Sequence, residues 1–332
     1  LQIENPENSA PSCGKLNMKA LMYHYVREFD PALPGLKFLH LKDFKKQLNY
    51  LASNYGFVSK NDFIKAIKGE ITCPKGIVLT FDDGLKDHFK FVLPELLRND
   101  LWGIFYISTG VLQNQRSLSV HVVHFLLAKY GAEKILKEIK ESDLVHNDLF
   151  QDEHYIHESK IYLKQEISHE EYIVKKILNY SLKRQEKEDL CSYLMSAFGE
   201  DERVLHNETY LTLDEIQEMN KSGMIIGSHA ISHQPMVELN DLESSREIEN
   251  SVTFIESNVN PPLSTFCYPH GLKHTFSSRE TKILQSLKVD FSFAVESRDI
   301  LDSDLKNDIH SLPRYDCNEF NYGKVYNANS TS

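Results

Sequence analysis

The feature that most limits what this 332-residue chain can fold into is an uninterrupted β-type run at residues 77–81, Ile-Val-Leu-Thr-Phe. A strand without alternating polar residues is typical of a sheet that is covered on both faces, and such sheets are mostly parallel. Segments with the 3–4 residue spacing of amphipathic helices alternate with further β-type runs on both sides of it. This alternation predicts βαβ units and therefore an α/β fold.

Periodicity also places the other elements. It predicts strands at residues 19–26, 76–81, 103–108, 224–227, 263–268 and 291–295. It predicts helices at residues 41–55, 62–68, 89–98, 125–139, 170–198, 212–222, 242–257 and 277–287. Two of these helices begin with the pattern of a capping box, in which Ser59 pairs with Asp62 and Thr212 pairs with Glu215.

Residues 112–206 interrupt the alternation of strands and helices. They are rich in charged residues and helix formers and poor in Gly and Pro, which predicts a helical insertion. The α/β fold is then built from residues 18–111 and 207–326. The polar ends lie outside it: residues 1–17 are expected to be a disordered extension or a cloning remnant, and residues 327–332 a frayed tail.

Two histidines of this insertion, His121 and His124, are spaced so that they can meet on one face of a helix. Such a pair could belong to a second metal site, but no carboxylate lies at a convincing spacing from it. Histidines that pack or lie on the surface are therefore the favoured interpretation. The insertion as a whole is expected either to close over a substrate or to mediate formation of a homo-oligomer.

The composition excludes several classes of protein. The formal net charge of −11 argues against broad nucleic-acid binding, because phosphate contacts need a basic surface. No apolar run approaches the roughly 20 residues that a membrane span needs. The five cysteines are scattered without a CxxC pair, and the first residues lack the pattern of a signal peptide. A disulfide framework is therefore not expected, and a cytoplasmic location is favoured.

Residues 80–84, Thr-Phe-Asp-Asp-Gly, place two adjacent carboxylates at the end of the buried strand. Strand ends carry the active sites of parallel α/β folds. Successive side chains of a strand point in opposite directions, so Asp82 and Asp83 need the irregular exit that Gly84 permits. Two carboxylates buried together require a cation or a shared proton nearby. A plain Asp-Gly turn is the alternative, and the preceding β run argues against it.

A second polar group follows another short strand. Residues 228–233 read Ser-His-Ala-Ile-Ser-His and contain His229 and His233. Two histidines four residues apart can point the same way from one turn, and neutral imidazoles are good ligands for zinc. The pair alone is weak evidence, but one aspartate with two histidines would leave coordination positions open for water and substrate. Open positions are what separates catalytic from structural metal sites.

Together these two strings resemble the polysaccharide deacetylases, the carbohydrate esterases of family four, whose first motif is T-F-D-D-G and whose second is H-[ST]-x-x-H. The resemblance implies a distorted (β/α) barrel, here with a large helical insertion. It also implies that Asp82 is the catalytic base and that Asp83, His229 and His233 hold a divalent metal. Zinc suits this ligand set best, although cobalt, nickel or iron would also be accepted. Ala230 departs from the second motif at a position that concerns loop packing.

A third segment, Phe-Cys-Tyr-Pro-His-Gly at residues 266–271, resembles the Y-P-x-G form of the third motif in one branch of this family. The resemblance implies that the backbone N–H of His270 stabilises the oxyanion and that Tyr268, Pro269 and Gly271 border the substrate. Cys267 stands where much of the family has an arginine that steadies the base. It is expected to be a packed residue rather than a nucleophile, because no activating partner is evident.

Residues 312–315, Leu-Pro-Arg-Tyr, resemble the segment that closes the fold in the same branch. We hypothesise that Arg314 replaces the missing arginine beside Asp82; an ordinary surface arginine is the alternative. His24 lies in a Leu-Met-Tyr-His string that resembles the first strand of the branch, and it is expected either to border the substrate or to be a core histidine. The L-x-H motif that supplies a general acid in many relatives is not evident around His310, so the acid is unassigned.

The resemblance implies a bacterial metal-dependent hydrolase that removes an acyl group, by default N-acetyl, from a sugar. O-acetyl and N-formyl groups are chemically close. The expected substrate is a nucleotide-linked, lipid-linked or oligosaccharide precursor of a surface polysaccharide. Two alternatives stay open at this point: a non-catalytic sugar-binding protein on the same scaffold, and a hydrolase of small amides that are not sugars.

Overall fold

A computed structural model describes residues 17–150 and 168–326, so the predicted tail and all but the last residue of the predicted extension lie outside the described residues. Within these residues there are nine strands: β1 (Met18–Tyr23), β2 (Val26–Arg27), β3 (Leu39–His40), β4 (Gly76–Phe81), β5 (Ile104–Ile107), β6 (Ile225–Ser228), β7 (Thr265–Cys267), β8 (Phe291–Phe293) and β9 (Tyr315–Asp316). Seven of them form one sheet in the order β8-β7-β6-β5-β4-β1-β9, and β2 pairs with β3.

The described residues also contain thirteen α-helices. They are α1 (Leu41–Asn54), α2 (Lys60–Ile67), α3 (Leu93–Arg98), α4 (Gly110–Asn114), α5 (Ser119–Tyr130), α6 (Ala132–Glu141), α7 (His169–Lys176), α8 (Arg184–Ala197), α9 (Glu202–Thr209), α10 (Leu213–Lys221), α11 (Asp241–Val259), α12 (Ser278–Ser286) and α13 (Asp302–Asn307). None of the helices in this part of the chain combines the length and the apolar character that crossing a bilayer requires.

Strand β4 lies inside the sheet, as its apolar sequence predicts. All six of its residues are buried, and it pairs in parallel with β1 on one side and β5 on the other. Phe81, its last residue, stacks on Phe105 of β5 with ring centroids 4.6 Å apart and on Tyr23 of β1 at 5.2 Å. This aromatic layer fixes the carboxyl end of β4, from which the two aspartates emerge.

Residues 312–316 join the two ends of the sheet. Leu312 pairs with Phe293 of β8, and Tyr315 of β9 pairs with Leu21 of β1. The backbone of Leu312 also donates to the carbonyl of Ser292 and accepts from the N–H of Ala294, both at 2.9 Å. Because one segment contacts both edge regions, the parallel sheet is curled into a distorted (β/α) barrel. The predicted fold class is confirmed.

Strand β1 ends earlier in the chain than predicted. The predicted strand at residues 19–26 ends at Tyr23, and His24 and Tyr25 leave the sheet before β2 begins at Val26. The carbonyl of Tyr23 still accepts the N–H of Asp82 at 2.9 Å, so the pairing of β1 with β4 continues to its end. His24 is consequently exposed at the carboxyl edge of the sheet rather than buried within a strand.

Helices α5 to α9 occupy the region predicted as the insertion, and they pack around apolar residues of their own, including Val123, Leu126, Leu190 and Leu194. Two predicted helices are wrong in extent. The one at residues 125–139 is divided between α5 and α6 by Gly131, whose φ of 79° is incompatible with a continuous helix. The one at residues 170–198 is interrupted between α7 and α8, where Leu182 is extended.

Both predicted capping boxes lie at helix starts. The hydroxyl of Thr212 accepts the N–H of Glu215 at 3.2 Å, and the carboxylate of Glu215 accepts the N–H of Thr212 at 2.8 Å. The hydroxyl of Ser59 accepts the N–H of Asp62 at 3.0 Å. Each contact satisfies a backbone donor that the first turn of a helix would otherwise leave without a partner.

Candidate metal centre and active site

The predicted site residues emerge from neighbouring strands at one edge of the sheet. Asp82 and Asp83 follow β4, and His229 and His233 follow β6, with β5 between the two strands. All pairings in this sheet are parallel, so the carboxyl ends of the strands meet at the same edge. The parallel topology therefore brings together side chains that lie about 150 residues apart in the sequence.

The two adjacent aspartates point to different partners. Asp83 has a φ of 76° and Gly84 a φ of 66°, both in the left-handed region that an aspartate tolerates better than most residues. This turn separates the two side chains. The carboxylate of Asp82 contacts Arg314, whereas that of Asp83 contacts imidazoles. Both carboxylates are buried, being 2% and 4% exposed.

Asp83, His229 and His233 form a compact group of metal-ligating atoms. Oδ1 of Asp83 lies 3.2 Å from Nε2 of His233 and 3.5 Å from Nε2 of His229, and no hydrogen bond within the described residues reaches this buried oxygen. A cation bound at about 2.1 Å from each of three atoms, with tetrahedral angles, separates those atoms by about 3.4 Å. The observed spacing therefore fits a cation of the size of zinc.

The protonation states of this group also fit a cation. Nδ1 of His229 lies 2.7 Å from the carbonyl oxygen of Cys267, which can only accept, so Nδ1 carries the proton and Nε2 presents a lone pair. Burial lowers the pKa of His229 to about 4, so the imidazole is neutral at physiological pH. Burial alone would raise the pKa of Asp83, but His233 and His121 hold it well below the usual range. The carboxylate is therefore ionised.

A second cluster, formed by Asp82, His229 and Cys267, also has metal-ligating atoms close to one another. It fits a cation less well, because Nη2 of Arg314 lies 2.8 Å from Oδ2 of Asp82 and 2.9 Å from Sγ of Cys267. Burial also raises the pKa of Cys267 well above its ordinary value, so the group is a thiol rather than a thiolate. A guanidinium already supplies the positive charge that this cluster needs.

The loop that carries His229 and His233 is held from helix α11 by Glu247, which sequence analysis did not single out. Its Oε2 accepts the backbone N–H groups of Ile231 and Ser232, each at 2.8 Å, and its Oε1 accepts the Ser232 hydroxyl at 2.6 Å. His233 has a φ of 57°, a conformation that needs such support. Glu247 thus fixes the turn between the two histidines.

Arg314 lies beside Asp82 in a bidentate ion pair. Nη1 and Nη2 donate to Oδ1 and Oδ2 of Asp82, both at 2.8 Å, and Nη1 also donates to the Thr80 hydroxyl at 3.0 Å. Arg314 is 1% exposed, so the alternative of an ordinary surface arginine is wrong. Burial would raise the pKa of Asp82, but Arg314 and His229 outweigh it and lower that pKa. Asp82 is ionised at neutral pH.

Replacing Arg314 with alanine is expected to destabilise the metal-free protein by about 3–5 kcal/mol, because the Asp82 carboxylate would stay buried without its partner. The stabilising effect of the pair is present above about pH 4 and is lost as the pH falls through the lower pKa of folded Asp82. Urea denaturation at pH 7 and at lower pH measures both effects.

Arg298→Ala is the matched control for this prediction. Arg298 also makes a bidentate pair, with Asp304 at 2.7 and 3.1 Å, but its side chain is 35% exposed. Its loss is expected to cost about 1 kcal/mol or less, as is usual for pairs that water can screen. Equal losses of unfolding free energy in Arg314→Ala and Arg298→Ala would contradict the claim that burial makes the Asp82–Arg314 pair more important.

The third predicted segment divides into buried and exposed residues. His270 is exposed, and its ring centroid lies 5.1 Å from that of His233. Within the described residues no hydrogen bond takes up the His270 backbone N–H. Tyr268 is 1% exposed, its hydroxyl donates to the carbonyl of His310, and its ring stacks on Phe276. Its side chain therefore belongs to the core, which does not fit the predicted contact with the substrate.

The other predicted residues are placed as follows. Pro269 and Gly271 are buried in the turn after β7, where Gly271 has a φ of 66° and its N–H donates to the Pro269 carbonyl at 2.7 Å. His24 is exposed, and its carbonyl lies 3.0 Å from Nε2 of His88. His310 is buried, with Nδ1 3.3 Å from the Ser292 hydroxyl.

His121 joins the site, contrary to the interpretation of the histidine pair as packing or surface residues. Its Nε2 lies 3.1 Å from Oδ2 of Asp83, and it is 2% exposed. The second histidine of the pair, His124, makes no such contact, and its Nδ1 has no hydrogen-bond partner within the described residues. Sequence spacing could not reveal this contact, because its carboxylate, Asp83, lies 38 residues before His121.

Comparisons with known proteins agree with this geometry. Residues 195–291 match the family model of polysaccharide deacetylase. This part of the chain is therefore similar to polysaccharide deacetylases. The match includes His229, His233 and the third segment, whereas residues 80–84 precede it. No curated protein matches the sequence.

Solved structures of deacetylases resemble about nine-tenths of this chain. The Streptococcus pyogenes deacetylase PplD in complex with acetate has a TM-score of 0.54 and 15% identity, covering 91% of this chain and 92% of its own. IcaB from Ammonifex degensii has a TM-score of 0.53 and 13% identity, and the match covers 90% of this chain and 91% of its own. A de-N-acetylase from Aggregatibacter actinomycetemcomitans has a TM-score of 0.51 and 17% identity, and the match covers 90% of this chain and 94% of its own. At such identities the likeness shows a shared fold. The family-model match and the shared fold together support a carbohydrate deacetylase enzyme.

Proposed function

We propose that this protein is a metal-dependent hydrolase that removes an acyl group, by preference N-acetyl, from a sugar. One observation carries the proposal: the buried Oδ1 of Asp83 has no hydrogen-bond partner within the described residues and lies 3.2 and 3.5 Å from two imidazole nitrogens. A buried carboxylate oxygen without a partner costs free energy, and a bound cation would remove that cost.

Asp83, His229 and His233 are the residues that would hold the cation. Bound there, a divalent cation would supply a Lewis acid for the acyl carbonyl and lower the pKa of a coordinated water. Three protein ligands leave at least one coordination position open for water or substrate. Zinc suits two imidazoles and one carboxylate, and cobalt, nickel or iron would be accepted by the same donors, so the metal available in the cell contributes to the choice.

Asp82 is the proposed general base, which takes the proton from the attacking water. Arg314 fixes its orientation through two hydrogen bonds and keeps it ionised at neutral pH. Each carboxylate oxygen has two acceptor positions, so the contacts with Arg314 leave Asp82 able to accept a further proton. Arg314 therefore acts as a positioning residue and Asp82 as the catalytic group.

The proposed oxyanion donor is the backbone N–H of His270. This residue is held in the left-handed region with a φ of 62°, next to Gly271, and it lies on the exposed rim near His233. A donor held in place before the reaction contributes about 3 kcal/mol to transition-state stabilisation, because it need not reorganise as charge develops. The hydrogen bond from Gly271 to the Pro269 carbonyl supports this turn.

The proposed substrate class is an acetylated sugar within an oligosaccharide or a nucleotide- or lipid-linked precursor. The family match is to deacetylases that act on polysaccharides, and one similar structure is described as a de-N-acetylase and another as a deacetylase bound to acetate. These descriptions favour an acetyl group over other acyl groups. His24 follows β1 and His270 follows β7, and both are exposed near the carboxyl ends of these strands, where they can contact such a substrate.

The test measures acetate and formate release from N-acetylated, O-acetylated and N-formylated amino sugars and oligosaccharides, and from small amides that are not sugars. Each substrate is tested with metal-loaded protein and with chelator-treated protein. The expected result is acetate release from N-acetylated sugars that the chelator abolishes. Release from small amides alone would favour the amide-hydrolase alternative, and bound metal without release from any substrate would favour a sugar-binding protein.

A further inference from the structure

Helix α5 of the helical region extends to the metal-ligating group and contributes His121. This histidine is buried, and its Nε2 lies 3.1 Å from Oδ2 of Asp83, the carboxylate oxygen that faces away from His229 and His233. Its other nitrogen, Nδ1, lies 2.6 Å from the hydroxyl of Tyr210, which is 2% exposed. Two buried residues, Tyr210 and His121, therefore form a line of hydrogen bonds that ends on one proposed metal ligand, Asp83.

The directions of the hydrogen bonds in this line follow from the groups at its two ends, the backbone N–H of Leu118 and the carboxylate of Asp83. The backbone N–H of Leu118 can only donate, and it lies 2.9 Å from the Tyr210 hydroxyl oxygen, which therefore accepts it. At the other end of the line, the ionised Asp83 carboxylate can only accept, so Nε2 of His121 donates to its Oδ2. In a neutral imidazole with its proton on Nε2, Nδ1 is the acceptor, and the Tyr210 hydroxyl donates to it.

From this line we infer that His121 and Tyr210 are positioning residues of the metal centre. Tyr210 holds the imidazole of His121, and His121 occupies Oδ2 of Asp83 and thereby aims Oδ1 at the space between His229 and His233. This inference rests on the proposed function, because it concerns the same ligand set. It gives the helical region a specific role: α5 supplies part of the support of the metal site.

The physical reason is the rotational freedom of a carboxylate. An aspartate without an outer partner can turn either oxygen toward the cation or toward water, and binding must then restrict that rotation. Outer hydrogen bonds that fix a metal ligand typically change metal affinity about 10- to 100-fold. Asp83 needs this support more than most ligands, because its own backbone is already held at a φ of 76°.

The test compares His121→Ala, His121→Gln and Tyr210→Phe with the unmodified protein. Glutamine can place an amide N–H near the position of Nε2, so it is the conservative variant. The same two substitutions at His124 are the control. His124 lies on the same helix with its ring 6.0 Å from that of His121, but it makes no hydrogen bond to Asp83.

The first measurement is the dissociation constant of Zn²⁺ by competition with a chromophoric chelator. The second is the visible absorption spectrum of the Co²⁺-loaded protein, which responds to the ligands around the ion. The thermal midpoint of each metal-free variant shows whether the fold is retained. We expect Zn²⁺ to bind about 10- to 100-fold more weakly to His121→Ala, with a changed Co²⁺ spectrum. His121→Gln should recover most of the affinity, Tyr210→Phe should be intermediate, and the His124 variants should bind like the unmodified protein.

Unchanged Zn²⁺ affinity and an unchanged Co²⁺ spectrum in folded His121→Ala and Tyr210→Phe would overturn the inference and leave the proposed function intact. Equal losses in the His121 and His124 variants would overturn it as well, because they would indicate general damage to α5. Failure of the unmodified protein to bind Zn²⁺ or Co²⁺ would overturn the proposed function itself. If His121→Ala does not fold, His121→Gln and Tyr210→Phe decide the question.

Discussion

An Asp83→Asn protein is expected to lose both its metal and its activity while keeping its fold. The substitution removes the only carboxylate of the proposed ligand set and leaves two imidazoles, which alone hold a divalent cation far less tightly. The loss of affinity should exceed the roughly 10- to 100-fold that the loss of an outer hydrogen bond costs. Metal content after dialysis and acetate release from an N-acetylated oligosaccharide measure the two effects.

Asp290→Asn is the matched control for this experiment. Asp290 precedes β8 and so lies at the amino end of the parallel strands, the opposite edge from the site, where its Oδ2 accepts the N–H of Ser264 at 2.7 Å. This variant should keep its metal and its activity. Full metal occupancy in Asp83→Asn would contradict the assignment of Asp83 as a ligand, and His229→Ala provides an independent check on the same site.

An Asp82→Asn protein is expected to keep its metal and to lose about 10²- to 10⁴-fold in kcat, the usual contribution of a general base. An amide cannot accept the proton of the attacking water. Asparagine nearly preserves the volume of the side chain and can still accept one hydrogen bond from Arg314, so the site should stay assembled. The measurement is kcat for acetate release, together with metal content in the same sample.

This pair of results separates the two adjacent aspartates. Loss of metal with Asp82→Asn would show that Asp82 contributes to binding the cation, and retained turnover would show that it is not the base. Asp83→Asn and Asp82→Asn differ only in which of two neighbouring carboxylates is removed. The proposed division of labour therefore predicts opposite outcomes for metal content and similar outcomes for activity.

The sequence predicted those parts of the molecule that depend on local pattern. β4 could be recognised because its apolar residues are continuous, and the capping boxes because their partners lie three residues apart. The residues that follow β4 and β6 could be expected to meet, because parallel strands carry their carboxyl ends to one edge. The division of the helical region at Gly131 and Leu182 was missed, because charged helix formers on both sides conceal a short interruption.

The contacts that complete the site depend on tertiary structure and could not be derived from spacing. His121 reaches Asp83 only because α5 packs over the carboxyl edge of the sheet, and Glu247 holds the histidine turn from a helix whose sequence shows ordinary amphipathic character. Arg314 was proposed from its resemblance to a known segment, and residues 312–316 show the physical reason for its position. This segment bridges β8 and β1, so the side chain between them points at β4.

The structure also gives a physical reason for a cysteine at position 267, where the motif that this segment resembles usually has an arginine. Cys267 is fully buried, and its Sγ lies 2.9 Å from Nη2 of Arg314, so a small side chain leaves room for a guanidinium that arrives from another segment. A larger residue at this position would compete for the same space. The positive charge beside Asp82 is retained, although it comes from residue 314 instead of residue 267.

The most direct test of metal-dependent deacylation is a titration of the chelator-treated protein with Zn²⁺, in which acetate release from an N-acetylated oligosaccharide is followed at each addition. Asp83, His229 and His233 form one proposed ligand set within the described residues, so activity should rise linearly and reach its plateau at one equivalent. Asp83→Asn should stay inactive throughout. Full activity in the chelator-treated protein before any Zn²⁺ is added would contradict the account.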